Sequence, residues 1–189
     1  MLSSHWTSEP TDGAELRAHV RRIVRVGDAE ADRLIALYRS HRPTETLGDV
    51  AAVIAGDASA LRDAAYTIAQ RRFAQGRAPV YLYSFNWRSP MRNGKLRSMH
   101  GMELPFVFDH PDAISFMTGT GADRYALAEA ISEAWVSFAR TGNPSHKGLP
   151  SWTPYNPTTW PTMVFGAQVA LVHDPHGEER KAMEAVRTR

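Results

Sequence analysis

The sequence predicts an α/β class with several helices and an incomplete sheet, and three observations lead there. Apolar residues recur at helical spacing through most of the first 75 residues and again after residue 122. One run, Pro79 to Trp87, is dense in β-branched and aromatic residues with both alternating faces mostly apolar. Such a strand belongs in a sheet covered by helices on both sides. Only two shorter strand patterns follow it, too few to complete a sheet of that kind.

The elements follow in order. Residues 1–10 are polar and read as a tail, and residues 11–189 as the folded portion. Thr11-Asp12 can cap a first helix, with Glu15 placed to complete a capping box. Leu16, Val20, Ile23 and Val24 form its apolar face. Gly27-Asp28 separates it from a second helix striped by Ala31, Leu34, Ile35 and Tyr38 and stopped by Pro43. A third, short helix is expected over 46–55. A fourth is expected over 57–74, with Leu61, Ala65, Ile68 and Ala69 inward and Gly76 as its stop. After the 79–87 strand, Pro90 and Asn93-Gly94 mark a polar loop with a turn. Residues 109–122 read as loop. A long helix then runs to Thr141, capped by Thr120 or Asp123, with Leu127, Ile131, Trp135 and Phe138 as a core stripe. Gly142-Asn143-Pro144 ends it. Residues 145–161 are irregular, 162–165 and 169–172 are short strands, and 177–189 form a final, exposed helix.

Composition excludes several functions. The 189 residues carry 22 basic and 20 acidic side chains, so the basic pI comes from a near-balance and not from a basic patch. Basic and aromatic residues do not interleave as a nucleic-acid reader requires. There is no cysteine, which excludes disulfides, thiolate metal sites and a cysteine nucleophile. No apolar run reaches the roughly 20 residues of a membrane span. The first residues show no signal-peptide pattern, so a cytoplasmic location is expected. His173 and His176 have a metal-site spacing, but no third ligand cluster accompanies them, and no metal or cofactor is expected.

The run Gly94-Lys95-Leu96-Arg97-Ser98-Met99-His100-Gly101-Met102-Glu103-Leu104-Pro105-Phe106-Val107-Phe108 is the most specific feature. A histidine followed by Gly-x-Glu and Leu-Pro-Phe-Val-Phe resembles the histidine motif of type-B carboxylesterases, the group that includes cholinesterases and p-nitrobenzyl esterases. The strand before it with Arg88-Ser89-Pro90, the helix ending Phe138-Ala139-Arg140-Thr141-Gly142-Asn143-Pro144, and the later Leu149-Pro150-Ser151-Trp152 and Met163-Val164-Phe165 resemble the same family. Together they cover most of residues 57–180. Two positions depart from it: the family usually has small residues, often Gly-Ala, near Arg97 and Ser98.

The resemblance implies the C-terminal portion of an α/β-hydrolase fold with a Ser-His-Glu (or Asp) triad. His100 would hold the general-base role, Gly101 would allow the tight chain path beside it, and Glu103 would be an ion-pair or capping residue. The nucleophile elbow G-x-S-x-G of such enzymes precedes the histidine. The closest string here, Gly56-Asp57-Ala58-Ser59-Ala60, lacks the second glycine and falls at a helix start. The triad acid would lie at or before the start of the chain, and the surroundings of Glu9 do not match it. The chain is therefore expected to be a C-terminal segment of a carboxylic-ester hydrolase, inactive alone. It would act on a small-molecule ester only when completed by an N-terminal part, which could be a separate partner chain. The alternative is a non-catalytic protein-interaction module derived from the same fold.

Overall fold

The computed structural model describes residues 9–59 and 61–187, which form two units. One contains the chain up to Ile68 together with His176 onward; the other is Ala69–Pro175. The expected polar tail lies outside the described residues except for Glu9 and Pro10.

The first unit is helical. Helix α1 (Gly13–Val20) continues through a π-helical turn, Arg21–Arg25, and is followed by α2 (Asp28–Ser40) and α3 (Leu47–Ala58). Asp12 caps α1 by accepting from the Glu15 amide, and the Glu15 carboxylate accepts in return from Thr11. Thr46 and Asp49 form a second capping box at α3. Leu16, Val20, Ala31, Leu34 and Tyr38, whose spacing predicts inward faces, close with Val50 and Ile54 into one apolar cluster.

The last helix, α8 (Gly177–Arg187), corrects an expectation. It is not a free exposed element, because Met183 joins this cluster and Glu179 is only 1% exposed. A charge-rich sequence reads as a solvated face, but here a buried carboxylate is matched by its own set of donors. Arg42 binds Glu179 through both terminal nitrogens, His41 Nδ1 lies 3.0 Å from Oε1, and His176 Nδ1 lies 3.6 Å from Oε2. Burial alone would raise the Glu179 pKa, but contacts with His176, Arg42 and His41 outweigh it and hold the carboxyl well below the ordinary range. His41 also reaches Glu178 at 2.9 Å, and its hydrogen bond to Glu179 raises its own pKa despite the opposing effect of desolvation. Beside this group the Tyr38 hydroxyl donates to Asp57 at 2.7 Å, Arg62 pairs with Asp57 at 2.6 Å, and Arg187 binds the Asp57 carbonyl.

Helix α4 (Leu61–Gln75) spans the division between the units and ends where Gly76 takes a positive φ. Its apolar stripe is another correction: Ala69 is buried, but Leu61 and Ile68 are 58% and 61% exposed. Periodicity marks a face that suits burial without saying what covers it.

The second unit holds the sheet. Strand β1 (Leu82–Phe85) pairs in parallel with β2 (Pro161–Phe165), and β2 pairs antiparallel with β3 (Val169–His173). The order is β1-β2-β3, so β1 lies at the sheet end. The expected strand over 79–87 is shorter and less covered than its apolar pattern predicts. Among the described residues it has a ladder on one edge only, and Tyr83 is 42% exposed. Helix α7 (Asp123–Thr141) has the predicted bounds and buries Leu127, Ala128, Ile131 and Ala134. Its start differs from expectation: neither Thr120 nor Asp123 caps it by a side-chain hydrogen bond. Its stripe is only half core, since Phe138 is 47% exposed.

The Glu179 group makes stability depend on pH in a defined direction. A depressed carboxylate contributes stability that is complete above its unfolded value, near 4.5, and lost as pH falls below it. The raised His41 contributes stability that is complete below 6.5 and lost as pH rises through its higher folded value. Urea unfolding followed by circular dichroism should therefore show falling stability below about pH 4.5, and Glu179→Ala should cost about 3 kcal/mol at neutral pH and flatten that acid limb.

A candidate active-site loop around His100

The chain between β1 and α7 is irregular, so its order must come from side chains. The Asn86 amide donates to the Phe165 carbonyl at 2.6 Å, extending the ladder past β1. Trp87 is buried, and its indole nitrogen donates to Asp123 at 2.9 Å. This replaces the cap expected of Asp123: its carboxylate anchors the loop instead of its own helix.

Ser89 is the hub of the next turn. Its amide donates to the Arg97 carbonyl at 3.1 Å, pairing the two ends of the Asn93-Gly94 turn. Its buried hydroxyl donates to the Met117 carbonyl at 2.5 Å and accepts from the Met91 amide at 3.1 Å. Ser98 then donates to the Trp87 carbonyl at 2.5 Å, tying the chain just before the histidine back to the residues leaving β1.

His100 sits on the turn that follows, with its side chain exposed. The Met102 amide closes onto the Met99 carbonyl at 3.1 Å, and Gly101 takes φ +83°. That conformation is unfavourable for any residue with a Cβ, which gives the glycine its reason. Two residues on, Met102 is fully buried, and Phe106 follows it inside helix α5 (Leu104–Val107). Phe106 packs at 5.1 Å ring separation against both Phe85 and Trp87. The histidine is therefore presented at a tip between a hydrogen-bonded Ser98 and a core-anchored Met102.

The segment after α5, expected to be loop, contains a 3₁₀ turn (Pro111–Ile114) and helix α6 (Ser115–Thr118). The buried guanidinium of Arg124 holds it. Arg124 is 1% exposed and donates to the carbonyls of Gly121 at 2.8 Å and Pro111 at 3.0 Å, and to Asp112 at 2.8 Å. Hydrogen bonds from Arg124 and then Tyr125 lower the Asp112 pKa. Gly119 closes the support from the other side: a Cβ there would lie 2.8 Å from Pro90.

The other sequence candidates have different places. Ser59 ends α3, its hydroxyl donating to the Gly56 carbonyl at 2.6 Å, and it belongs with Glu9 to the helical unit. Glu103 stands at the start of α5 but makes no side-chain capping bond. His173 is exposed on β3, while His176 faces Glu179. Among the described residues no group of three or more His, Cys, Asp or Glu could hold a metal ion, and no helix is long and apolar enough to cross a membrane. Arg97, at a position where the family usually has a small residue, has φ +52°. Ser89, Arg124 and the Trp87–Asp123 bond were not singled out as supports from the sequence, because each acts through partners far along the chain.

This partial sheet, with a histidine on the loop after a parallel strand and a long helix beyond it, defines part of an α/β-hydrolase fold. Comparisons agree. An esterase of Clostridium hathewayi that can hydrolyse aliphatic aromatic polyesters superposes with a TM-score of 0.72 at 20% identity, over 97% of this chain and 34% of its own. The para-nitrobenzyl esterase of Bacillus subtilis is 32% identical over 121 residues, 63% of this chain and 24% of its own length. Phenmedipham hydrolase of Pseudarthrobacter oxydans is 32% identical over 146 residues, 75% of this chain and 29% of its own length. The chain matches the Carboxylesterase family over residues 27–183 and belongs to it. It spans 24% to 34% of the length of these relatives.

Two outcomes follow. Arg124→Met should cost about 3 kcal/mol by urea unfolding, since it leaves buried carbonyls without donors. It should also expose 109–122 to limited proteolysis. Arg97→Gly should raise stability by about 1 kcal/mol in the same assay, by relieving a left-handed backbone.

Proposed function

We propose that this chain is the C-terminal, histidine-bearing part of a carboxylic-ester hydrolase, with His100 as its general base. The observation that carries this reading is the run His100-Gly101-Met102-Glu103-Leu104-Pro105-Phe106, fixed by buried Met102 and Phe106 while His100 faces outward. A general base needs that combination: a rigid backbone and a ring free to meet a second group. Imidazole titrates near neutrality, so it can take the proton of a serine hydroxyl during attack on the ester carbonyl and return it to the leaving alcohol. A carboxylate on the other ring nitrogen fixes the tautomer and stabilises the imidazolium.

Among the described residues no hydroxyl or carboxylate is hydrogen-bonded to the His100 ring, and the sequence holds no G-x-S-x-G. The serine, the acid and the oxyanion donors come in this reading from the remainder of the fold. Without them the histidine provides only the chemistry of a free imidazole, because oxyanion stabilisation is usually the largest part of the rate.

The test is hydrolysis of p-nitrophenyl acetate. The chain alone should turn it over no faster than free imidazole, and equally well after His100→Ala. Joined to a serine-bearing remainder it should show saturable turnover that His100→Ala lowers by about 10³-fold or more. Saturable turnover by the chain alone would refute the reading.

A further inference from the structure

We propose that Met91, Met99 and Met117 form a reversible oxidation site through which peroxide opens the loop that carries His100. The oxidation and the opening stand apart from the functional reading above; only their effect on hydrolysis rests on it.

The placement of the sulfurs comes first. The chain has seven methionines and no cysteine, so all of its sulfur is thioether. Four of the seven fall between residues 91 and 117. Met102, Met163 and Met183 are 0%, 0% and 2% exposed, and Met1 lies outside the described residues. Met91, Met99 and Met117 are half-buried, each packed against the apolar cluster under the loop while part of its surface meets solvent. An oxidant in water therefore reaches these three before the buried ones.

Each of the three also sits at a hydrogen-bonded corner of the segment. The Met91 amide donates to Ser89 Oγ at 3.1 Å, and the Ser89 hydroxyl donates to the Met117 carbonyl at 2.5 Å. The Met99 carbonyl accepts from the Met102 amide at 3.1 Å, closing the turn on which His100 stands. The Met91 sulfur is packed toward Gly119, 3.6 Å from where a Cβ would stand there. Side-chain packing and backbone bonds thus hold the same corners, and a change in the first loosens the second.

Oxidation changes that packing. A sulfur lone pair attacks one oxygen of hydrogen peroxide and the O–O bond breaks. That oxygen stays on sulfur, and the other leaves as water with both protons. The thioether loses two electrons and the peroxide gains them. The product is a polar sulfoxide in place of a flexible apolar side chain. A polar group is costly to bury without a partner, so the modified side chains turn to water and leave the cluster. Met102, fully buried while the loop is closed, then becomes reachable in a second stage. Two thiols of a sulfoxide reductase reverse the step: they remove the oxygen as water and join as a disulfide.

The experiment treats the full chain with hydrogen peroxide. Oxygen uptake at each methionine is followed by peptide mass mapping, beside trypsin cleavage after Arg92, Lys95 and Arg97. Met91, Met99 and Met117 should oxidise about tenfold or more faster than Met163 and Met183, with Met102 following after a lag. Cleavage in the loop should rise by about tenfold or more, and return to its starting rate after methionine sulfoxide reductases and dithiothreitol. Met91→Leu, Met99→Leu and Met117→Leu together keep the side-chain volume and remove the oxidisable sulfur. In that variant peroxide should leave the loop protected and Met102 reduced. Oxidation of Met163 or Met183 at the rate of the three overturns the site. So does a loop whose cleavage stays constant as they oxidise, or rises equally in the leucine variant. A loop that opens while the chain, joined to a serine-bearing remainder, hydrolyses p-nitrophenyl acetate as before supports the oxidation site and overturns His100 as general base instead.

Discussion

The packing of Trp87, Met102 and Phe106 under the 88–103 loop is the constraint on which the candidate site depends. These three side chains fix an irregular segment at both ends: Trp87 where it leaves the sheet, Met102 and Phe106 where it enters α5. Irregular backbone has no ladder of its own and must find partners elsewhere. Here Ser89, Ser98 and the Trp87–Asp123 bond supply them, so the loop is held by fixed partners instead of by length or sequence. His100 inherits its position from that framework while making no contribution to the core itself.

Arg124 extends the framework downstream. A buried guanidinium is expensive unless its donors are matched, and its planar fork is suited to gathering carbonyls from separate turns. It joins Pro111, Asp112 and Gly121 around the start of α7, which lets two very short helices persist that would have no stability alone. The Glu179 group does the inverse in the helical unit, where one buried carboxylate gathers His41 and Arg42 from the end of α2 and His176 from the residue just before its own helix. Each unit thus combines an apolar cluster with a nearly fully buried charge, Glu179 in one and Arg124 in the other, that is matched by several partners. The apolar cluster sets compactness, and the charge sets which segments meet.

Much of this was legible in residue order. Helical periodicity located α1, α2 and α7, because a 3.6-residue stripe is a local property with one stable solution. Gly76 and Gly142 end their helices where expected, since chain termination is also local. The motif around His100 was legible for a different reason: many residue types in fixed order constrain one another more tightly than any single candidate. What escaped were the assignments of one polar residue to a distant partner. Asp123 reads as a cap and bonds Trp87; Glu179 reads as a solvated acid and is buried; Leu61 and Ile68 read as inward and face outward. In each case the local signal was real, but a partner across the fold, or its absence among the described residues, decided the outcome.

By itself the sequence determined the class of fold, the longer helices and the two short strands, because these depend on periodicity and propensity over short spans. Only the tertiary structure decided that β1 stands at the end of the sheet among the described residues, that Phe138 and Tyr83 stay accessible beside it, and which polar groups tie the histidine loop to α7. The physical reason is that burial and hydrogen-bond pairing are properties of two surfaces meeting, and a linear sequence describes each surface without stating which other one it meets.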